Sequence, residues 1–189
     1  MTQFSLFGAA ATDPVLNDLD GVLLAGGHWV RQAEAARLSV VVAARWRADA
    51  LAAEFALRNL RTSDAVVPAE GGFGVRSAFT TELTARAVSW TRGANEGPPP
   101  EFTLSPGGLR LWALAAGRRD PAGYLLGTAR PDDAIHLVCG AQLSRLGLGA
   151  VSIAGRGGPG WRVTSTRRIR RLGELLGAPP PGGAAEWPT

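Results

Sequence analysis

The sequence predicts an α+β protein made of two pseudo-symmetric αββαββα repeats with antiparallel sheets, the second repeat having a shortened first hairpin. The first observation is an internal repeat, because GGFGVR at 71–76 and GGPGWR at 157–162 lie 157 − 71 = 86 residues apart. The second is that this offset also aligns apolar positions, among them Leu57 with Leu143, Leu60 with Leu146 and Leu83 with Ile169. The third is a proline-rich linker between the two copies, GANEGPPPEF.

The elements of the first half follow from start signals and hydrophobic spacing. Asp13-Pro14 predicts a helix N-cap followed by proline at the first helical position, so we expect an apolar helix from Val15 to Ala25. Thr80 or Thr81 is expected to cap the last helix, which runs to Trp90. Between these two helices, the pattern predicts strands at 28–32 and 37–42, a helix at 47–60, and strands at 65–68 and 73–77 joined by a glycine turn.

The second half repeats this order. Ser105-Pro106 is another N-cap with proline at the first helical position, and it begins an apolar helix at 109–116. We expect the next hairpin to be reduced to 124–128, closed by Arg130-Pro131. A helix at 133–146, strands at 150–154 and 161–164, and a helix at 166–176 complete the unit.

These elements divide the chain into five segments. They are an N-terminal extension at 1–12, repeat 1 at 13–93, a Pro-rich linker at 94–104, repeat 2 at 105–177 and a tail at 178–189. The tail, APPPGGAAEWPT, is rich in proline and glycine and is predicted to be disordered.

Composition places the chain among globular proteins and bears on its compartment. The sequence has 189 residues, of which 46% are hydrophobic and 19% charged. Its single cysteine, Cys139, cannot form an internal disulfide, which favours a reducing compartment, the cytoplasm. No apolar run approaches the roughly 18 residues that a membrane span needs, so no membrane partner is expected.

Positive charge is concentrated in the second half. All 20 basic residues are arginine, whose guanidinium pairs with phosphate in a bidentate way. Residues 1–97 carry nine arginines and ten acids, a sum of −1, whereas residues 98–189 carry eleven arginines and six acids, a sum of +5. An anionic partner should therefore favour the second half.

Several patterns that carry chemistry elsewhere have a structural explanation here. GRGGPG at 155–160 resembles a phosphate-binding loop, but it is predicted inside a hairpin and does not open a helix. His136 and Cys139 share one helix face, yet two ligands without a second pair do not make a zinc site, so we expect a core pair. The sequence predicts no catalytic residues, no metal site and no cofactor.

Two apolar segments resemble a known motif. Residues 19–27 are LDGVLLAGG and residues 109–117 are LRLWALAAG. With the repeated order of elements over residues 13–176, these segments resemble the nine-residue motif of single-chain, two-repeat LAGLIDADG homing endonucleases. The matching positions are Leu19, Gly21, Ala25 and Gly27 in the first copy and Leu109, Ala115 and Gly117 in the second.

The resemblance implies that the two motif helices pack side by side at a pseudo-twofold axis. In the family each helix ends in an acid that holds a divalent metal for phosphodiester hydrolysis. The positions equivalent to those acids are Gly26 and Ala116, and the nearest acids, Asp20 and Asp120, lie elsewhere. On this basis we expect the catalytic acids to be lost and the chain not to be an enzyme.

The resemblance also implies that the antiparallel sheets lie along nucleic acid. The sequence therefore predicts a non-catalytic nucleic-acid-binding protein, monomeric, with DNA preferred over RNA and a regulatory role; the alternative is a protein-binding adaptor on the same scaffold. Trp29 and Trp161, on the hairpins, are candidates for stacking on bases or on a protein partner. Candidate nucleic-acid contacts are Arg31, Arg37, Arg76, Arg130, Arg156, Arg162, Arg167, Arg168 and Arg171, with His28 and Arg119 as further candidates.

The last helix carries the most basic stretch, TRRIRR at 166–171. Its apolar residues share one side, so Arg167, Arg170 and Arg171 fall on the opposite side, which is either a solvated surface or a phosphate-contacting patch.

Overall fold

The computed structural model describes residues 13–61, 66–93, 95–129, 134–154 and 158–188. The first half contains a 3₁₀ turn at Leu16–Leu19, α1 (Asp20–Leu24), β1 (His28–Gln32), β2 (Ala35–Val42), α2 (Arg45–Leu57), β3 (Val66–Ala69), β4 (Gly72–Arg76), a 3₁₀ turn at Thr81–Leu83 and α3 (Thr84–Trp90). A two-stranded ribbon, β5 (Thr91–Arg92) and β6 (Asn95–Glu96), follows. The second half contains α4 (Pro106–Ala116), β7 (Gly117–Asp120), β8 (Gly123–Gly127), α5 (Ala134–Arg145), β9 (Val151–Ile153), β10 (Gly160–Val163), α6 (Thr166–Leu176) and a 3₁₀ turn at Ala184–Glu186.

The two halves share one sheet topology, which confirms the predicted α+β repeat. Each half forms a four-stranded antiparallel sheet, with strand orders β1-β2-β4-β3 and β7-β8-β10-β9. In both sheets the first strand begins within a few residues of the central apolar helix, so each sheet starts at the middle of the molecule.

The beginning of the first helix differs from the prediction. Asp13-Pro14 is not its N-cap, because helical structure starts at Leu16 with a 3₁₀ turn. The carboxylate that satisfies the first backbone group is Asp18, whose Oδ2 accepts from the Val15 N–H at 3.1 Å. In the second half the prediction is confirmed, since Ser105 Oγ accepts from the Gly108 N–H at 2.9 Å.

The first hairpin of the second half is shortened, as predicted, but it has both strands. The prediction for this hairpin covered only 124–128, whereas β7 starts at Gly117, directly after α4. Strand β7 is GRRD, which has little β-propensity. Its four residues are held by pairing with β8, and this tertiary pairing is not visible in the local sequence.

The two central helices pack at backbone distance. A Cβ added to Gly21 in α1 would lie 1.8 Å from the carbonyl oxygen of Gly108 in α4. Only glycine permits this approach, which explains a residue otherwise unfavourable inside a helix. One hydrophobic cluster, including the fully buried Trp90 and Trp112, contains residues of both halves.

A buried ion network crosses between the halves beside these helices. Arg58, the residue after α2, donates to Asp18 at 2.7 Å and to Glu54 at 2.8 Å, and all three residues are less than 9% exposed. From the second half, Arg110 donates to Glu54 at 2.7 Å and Ser105 Oγ lies 2.6 Å from Asp18 Oδ1. Because each carboxylate receives at least two partners, the charges are compensated inside the core.

The C-terminal segment, which the sequence predicts to be disordered, is packed on the protein. Trp187 is 2% exposed, and its Nε1 donates to the Gly177 carbonyl at 2.8 Å. Arg119 donates to the Trp187 carbonyl at 2.8 Å, and Trp46 lies against Gly182 and Gly183. Composition predicts disorder because it averages over the segment, whereas one buried tryptophan is enough to anchor it.

The linker also has structure. Phe102 is 6% exposed and meets the Trp90 ring edge-on at 5.6 Å, and Glu96 accepts from the Trp29 N–H at 2.7 Å. In the described part of the chain, no helix has the length and apolar character needed to cross a bilayer.

Candidate nucleic-acid interface

Strand register gives each sheet an inner face against the helices and an outer face toward solvent. In the first sheet, Trp29, Leu38 and Val40 point inward and are buried, and His28 and Arg76 alternate with them outward. In the second sheet, Tyr124, Leu126 and Val163 point inward. The outward residue Leu125 is 1% exposed but is not part of the central hydrophobic cluster.

Basic residues occupy equivalent positions on the two outer faces. Across the first sheet, the strand partners His28, Ser39 and Arg76 form one row. Across the second sheet, the corresponding row is Arg118, Leu125 and Arg162. The equivalence is numerical as well, since 118 − 28 = 90 is the offset of the apolar motifs and 162 − 76 = 86 is the offset of the glycine repeats. We call these the first and second basic rows.

The second basic row is held in place by Asp120. Its Oδ2 accepts from Arg162 at 2.8 Å, and its Oδ1 accepts from the Ala122 N–H at 2.8 Å. The Ala122 N–H and, to a smaller extent, Arg162 keep the pKa of Asp120 below its ordinary value, so the carboxylate stays charged. Leu125 lies between Arg118 and Arg162 on the same face of the sheet and supplies an apolar side chain there.

Arg37 adds a third basic group to the outer face of the first sheet. It stands two residues before Ser39 on β2, and its guanidinium lies over the Phe79 ring at 4.6 Å from the centroid. This cation–π contact restricts the side chain. Arg37 and Arg76 therefore lie on one surface, as the prediction requires.

Other predicted contact residues lie elsewhere. Arg31 lies on the same inner side of β1 as Trp29, at the exposed end of the strand. Arg119 donates to the Trp187 carbonyl on the inner side of β7. Arg167, Arg168 and Arg171 lie on α6, in the helix layer behind the second sheet. Arg130 and Arg156 lie outside the described residues.

The two tryptophans expected to stack on bases face inward. Trp29 is 9% exposed. Trp161 stacks on His136 at 5.1 Å between ring centroids and donates to the His136 carbonyl at 2.9 Å. The expectation of base stacking is therefore wrong for both, because the alternation along each strand turns them toward the helices.

Arg118 of the second basic row was not among the predicted contact residues. Its position could have been found by extending the motif alignment by one residue, since His28 follows Gly27 as Arg118 follows Gly117. Because the hairpin was predicted only over 124–128, Arg118 was not placed on a strand.

The residues weighed as a metal pair or a phosphate loop have structural roles. The His136 ring nitrogens lie 3.0 Å from Thr128 Oγ1 and 2.8 Å from Ser152 Oγ, so both are occupied. Cys139 is fully buried. The glycine segment 155–160 connects β9 to β10, which pair as a hairpin, although 155–157 lie outside the described residues.

At the ends of the central helices, Gly26 and Ala116 occupy the positions that match the family's acids, and neither carries a carboxylate. Gly26 has a φ of 97° and lies beside Ala129, and Ala116 lies beside Gly127. Asp20 is at the opposite end of α1, where it accepts from Arg86 and from Trp90 Nε1 at 2.9 Å. Burial raises the pKa of Asp20 above its ordinary value, against the effect of Arg86.

One arginine side chain donates hydrogen bonds to the carbonyl oxygens at the end of α4. Arg47, 7% exposed, donates to the Leu114 carbonyl at 2.9 Å, to the Ala113 carbonyl at 3.2 Å and to the Gly117 carbonyl. Burial lowers the pKa of Arg47 from its ordinary value, but these carbonyls satisfy the guanidinium. The positive charge at this helix end comes from the protein itself.

The chain has the fold of the LAGLIDADG homing endonucleases. It matches the solved structure described as the homing endonuclease I-WcaI bound to its DNA recognition sequence, with a TM-score of 0.57 and 8% identity, over 85% of this chain and 80% of that one. A second match, the crystal structure of I-DmoI in complex with DNA and Mn, has a TM-score of 0.47 and 13% identity, over 86% and 98% of the chains. No protein-family model and no curated protein sequence matches.

This comparison overturns the expectation that the chain is not an enzyme. The first matched structure is a homing endonuclease, which is an enzyme, and Gly26 with Ala116 does not show that catalytic residues are lost. The divalent metal implied by the family does not fit the two helix ends, where the described residues offer no carboxylate and Arg47 takes the carbonyls of α4.

Proposed function

We propose that this chain binds double-stranded DNA as a monomer, with the outer faces of its two sheets along the duplex. The observation that carries the proposal is the pair of basic rows at equivalent register positions. Because both repeats lie in one chain, a single molecule presents both rows. The matched homing endonuclease structure, which is bound to its DNA recognition sequence, supports the same use of this fold.

The chemistry of the rows suits phosphate and groove contacts. A guanidinium binds phosphate in a bidentate way, and β-ribbons can enter the major groove. Small and apolar side chains, such as Val41 at 51% exposure and Val151 at 56%, lie on the same faces and can contact thymine methyl groups. The rows therefore combine positioning charges with groups that can touch base edges.

The test is DNA binding by the double variant Arg76→Ala/Arg162→Ala. We expect wild-type binding to weaken steeply as salt rises from roughly 50 to 200 mM. The variant should bind more weakly at every salt concentration, and the slope of log K against log salt should fall by about 1.8, since each lost phosphate contact removes about 0.9. Fluorescence anisotropy of a labelled duplex measures both quantities.

The matched control is Arg31→Ala/Arg61→Ala, which removes the same charge from exposed positions outside the rows. It should leave the slope nearly unchanged. Equal loss in both double variants would show that overall charge, and not the rows, governs binding. If wild-type protein binds no duplex at low salt and instead retains one stoichiometric protein partner, the adaptor hypothesis replaces this proposal.

A further inference from the structure

A second arginine-rich surface lies on the helix layer, away from both rows. An open groove of about 800 Å³ runs between the end of α5 and the exposed side of α6. Its lining contains five arginines and one acid: Arg145, Arg167, Arg168, Arg170, Arg171 and Glu174. We call this the arginine groove.

The groove faces away from the outer face of the second sheet. Helix α6 buries Leu172, Leu175 and Leu176 in the core, so its arginines point outward from the helix layer. Trp161, on the inner face of β10, packs against α5, which places that helix on the inner side as well. A helix layer roughly 10–12 Å thick thus separates the groove from the sheet. One straight duplex cannot lie on both surfaces.

The groove concentrates positive charge that the protein hardly compensates. Within the described residues, its ion pair is Arg171–Glu174 at 3.6 Å, with both side chains at least 40% exposed. Arg168 donates to the Gly149 carbonyl at 3.1 Å. Arginines at 167, 170 and 171 are neighbours on the helix surface and repel one another, and charges of this sign in the first turn oppose the helix dipole. A bound polyanion would remove both costs.

We infer that the arginine groove is a second binding site for a nucleic-acid phosphate backbone, so that one molecule can hold two duplex segments on opposite faces. This inference builds on the proposed function but uses different residues. The lining favours a phosphate backbone over an acidic protein, because protein interfaces depend on apolar anchors and Leu146 is the large apolar residue among those lining the groove. A backbone needs only closely spaced charges.

The experiment measures bridging between two duplexes by the full-length chain. Short duplexes of one sequence are labelled separately with a donor and an acceptor fluorophore and mixed with the protein at low salt. We expect energy transfer with the wild-type protein and a complex of two duplexes per chain in sedimentation velocity. The variant Arg145→Glu/Arg167→Glu/Arg170→Glu should lose energy transfer and form complexes of one duplex per chain.

A charge-matched control separates the groove from general electrostatics. Arg31→Glu/Arg45→Glu/Arg61→Glu makes the same change in net charge at exposed positions outside the groove and should still bridge. The inference is overturned if the groove variant binds as many duplexes per chain as the wild-type protein does, if both triple variants lose duplex binding equally, or if a glutamate-rich peptide occupies the groove more tightly than a duplex does.

The same experiment distinguishes failure of the sheet proposal from failure of the groove inference. If only the sheet proposal is wrong, the wild-type protein binds one duplex, the groove variant abolishes that binding, and Arg76→Ala/Arg162→Ala leaves it unchanged. Circular dichroism of each variant confirms that the fold is intact.

Discussion

Gly21→Ala is expected to destabilise the protein by at least about 3 kcal/mol, although alanine is the better helix former by about 1 kcal/mol. The added Cβ would lie 1.8 Å from the Gly108 carbonyl oxygen, which belongs to the backbone of α4 and cannot move as a side chain tip does. The two central helices would have to separate, and the cluster that joins the halves would open with them. Urea denaturation, followed by circular dichroism, measures the change in the unfolding midpoint.

Gly173→Ala provides the matched control in α6. The nearest atom to its added Cβ is the Pro188 carbonyl oxygen at 3.4 Å, an ordinary contact. This variant should be as stable as the wild type or more stable by about 0.5–1 kcal/mol, because alanine lowers the entropy of the unfolded chain. Equal stability of Gly21→Ala and the wild type would show that α1 and α4 do not pack at backbone distance.

Arg58→Met is expected to cost about 3–5 kcal/mol of folding free energy, because it leaves buried charges without their partner. Arg58 joins Asp18 at 2.7 Å and Glu54 at 2.8 Å, and the guanidinium is only 2% exposed. Methionine fills much of the volume but cannot neutralise either carboxylate. Chemical denaturation measures the loss.

Two further variants identify charge as the cause. Arg45→Ala removes an exposed ion pair with Asp49 from the adjoining helix α2 and should change stability by no more than about 0.5 kcal/mol. Adding Asp18→Asn and Glu54→Gln to Arg58→Met should recover part of the loss, since the buried charges are then removed together. No recovery would mean that packing around Arg58, and not its charge, is what the fold requires.

Local sequence was sufficient where the chain carries its own signal. Helix α6 begins and ends as predicted, at Thr166 and Leu176, because Ser165 caps it and its apolar residues keep helical spacing. Strand β7 could not be predicted, since its residues have little β-propensity and only β8 holds them. The tail was mispredicted for a similar reason, because the partners of Trp187 lie outside the segment.

In the candidate site, too, some residues could be predicted from the sequence and others could not. The charge bias toward the second half and the repeat offsets pointed to Arg76 and Arg162. Alternation shows that a strand has two faces, but it does not show which of them the helices will cover. The sequence therefore left open which face of each sheet is exposed, and the structure places Trp29, Trp161 and Arg31 on the inner side. Arg118 was not predicted as a contact residue, because the strand that carries it, β7, was not predicted either.

By itself, the sequence determined that the chain consists of two like halves, since the repeat is written in apolar and glycine positions that recur at fixed offsets. The tertiary structure alone decided which side of each sheet meets solvent, which arginines share a surface and which become buried partners of carboxylates. The physical reason is distance along the chain: Ser105 and Asp18 lie 87 residues apart, and Arg58 and Asp18 lie 40 apart, so their contacts exist only after the helices pack.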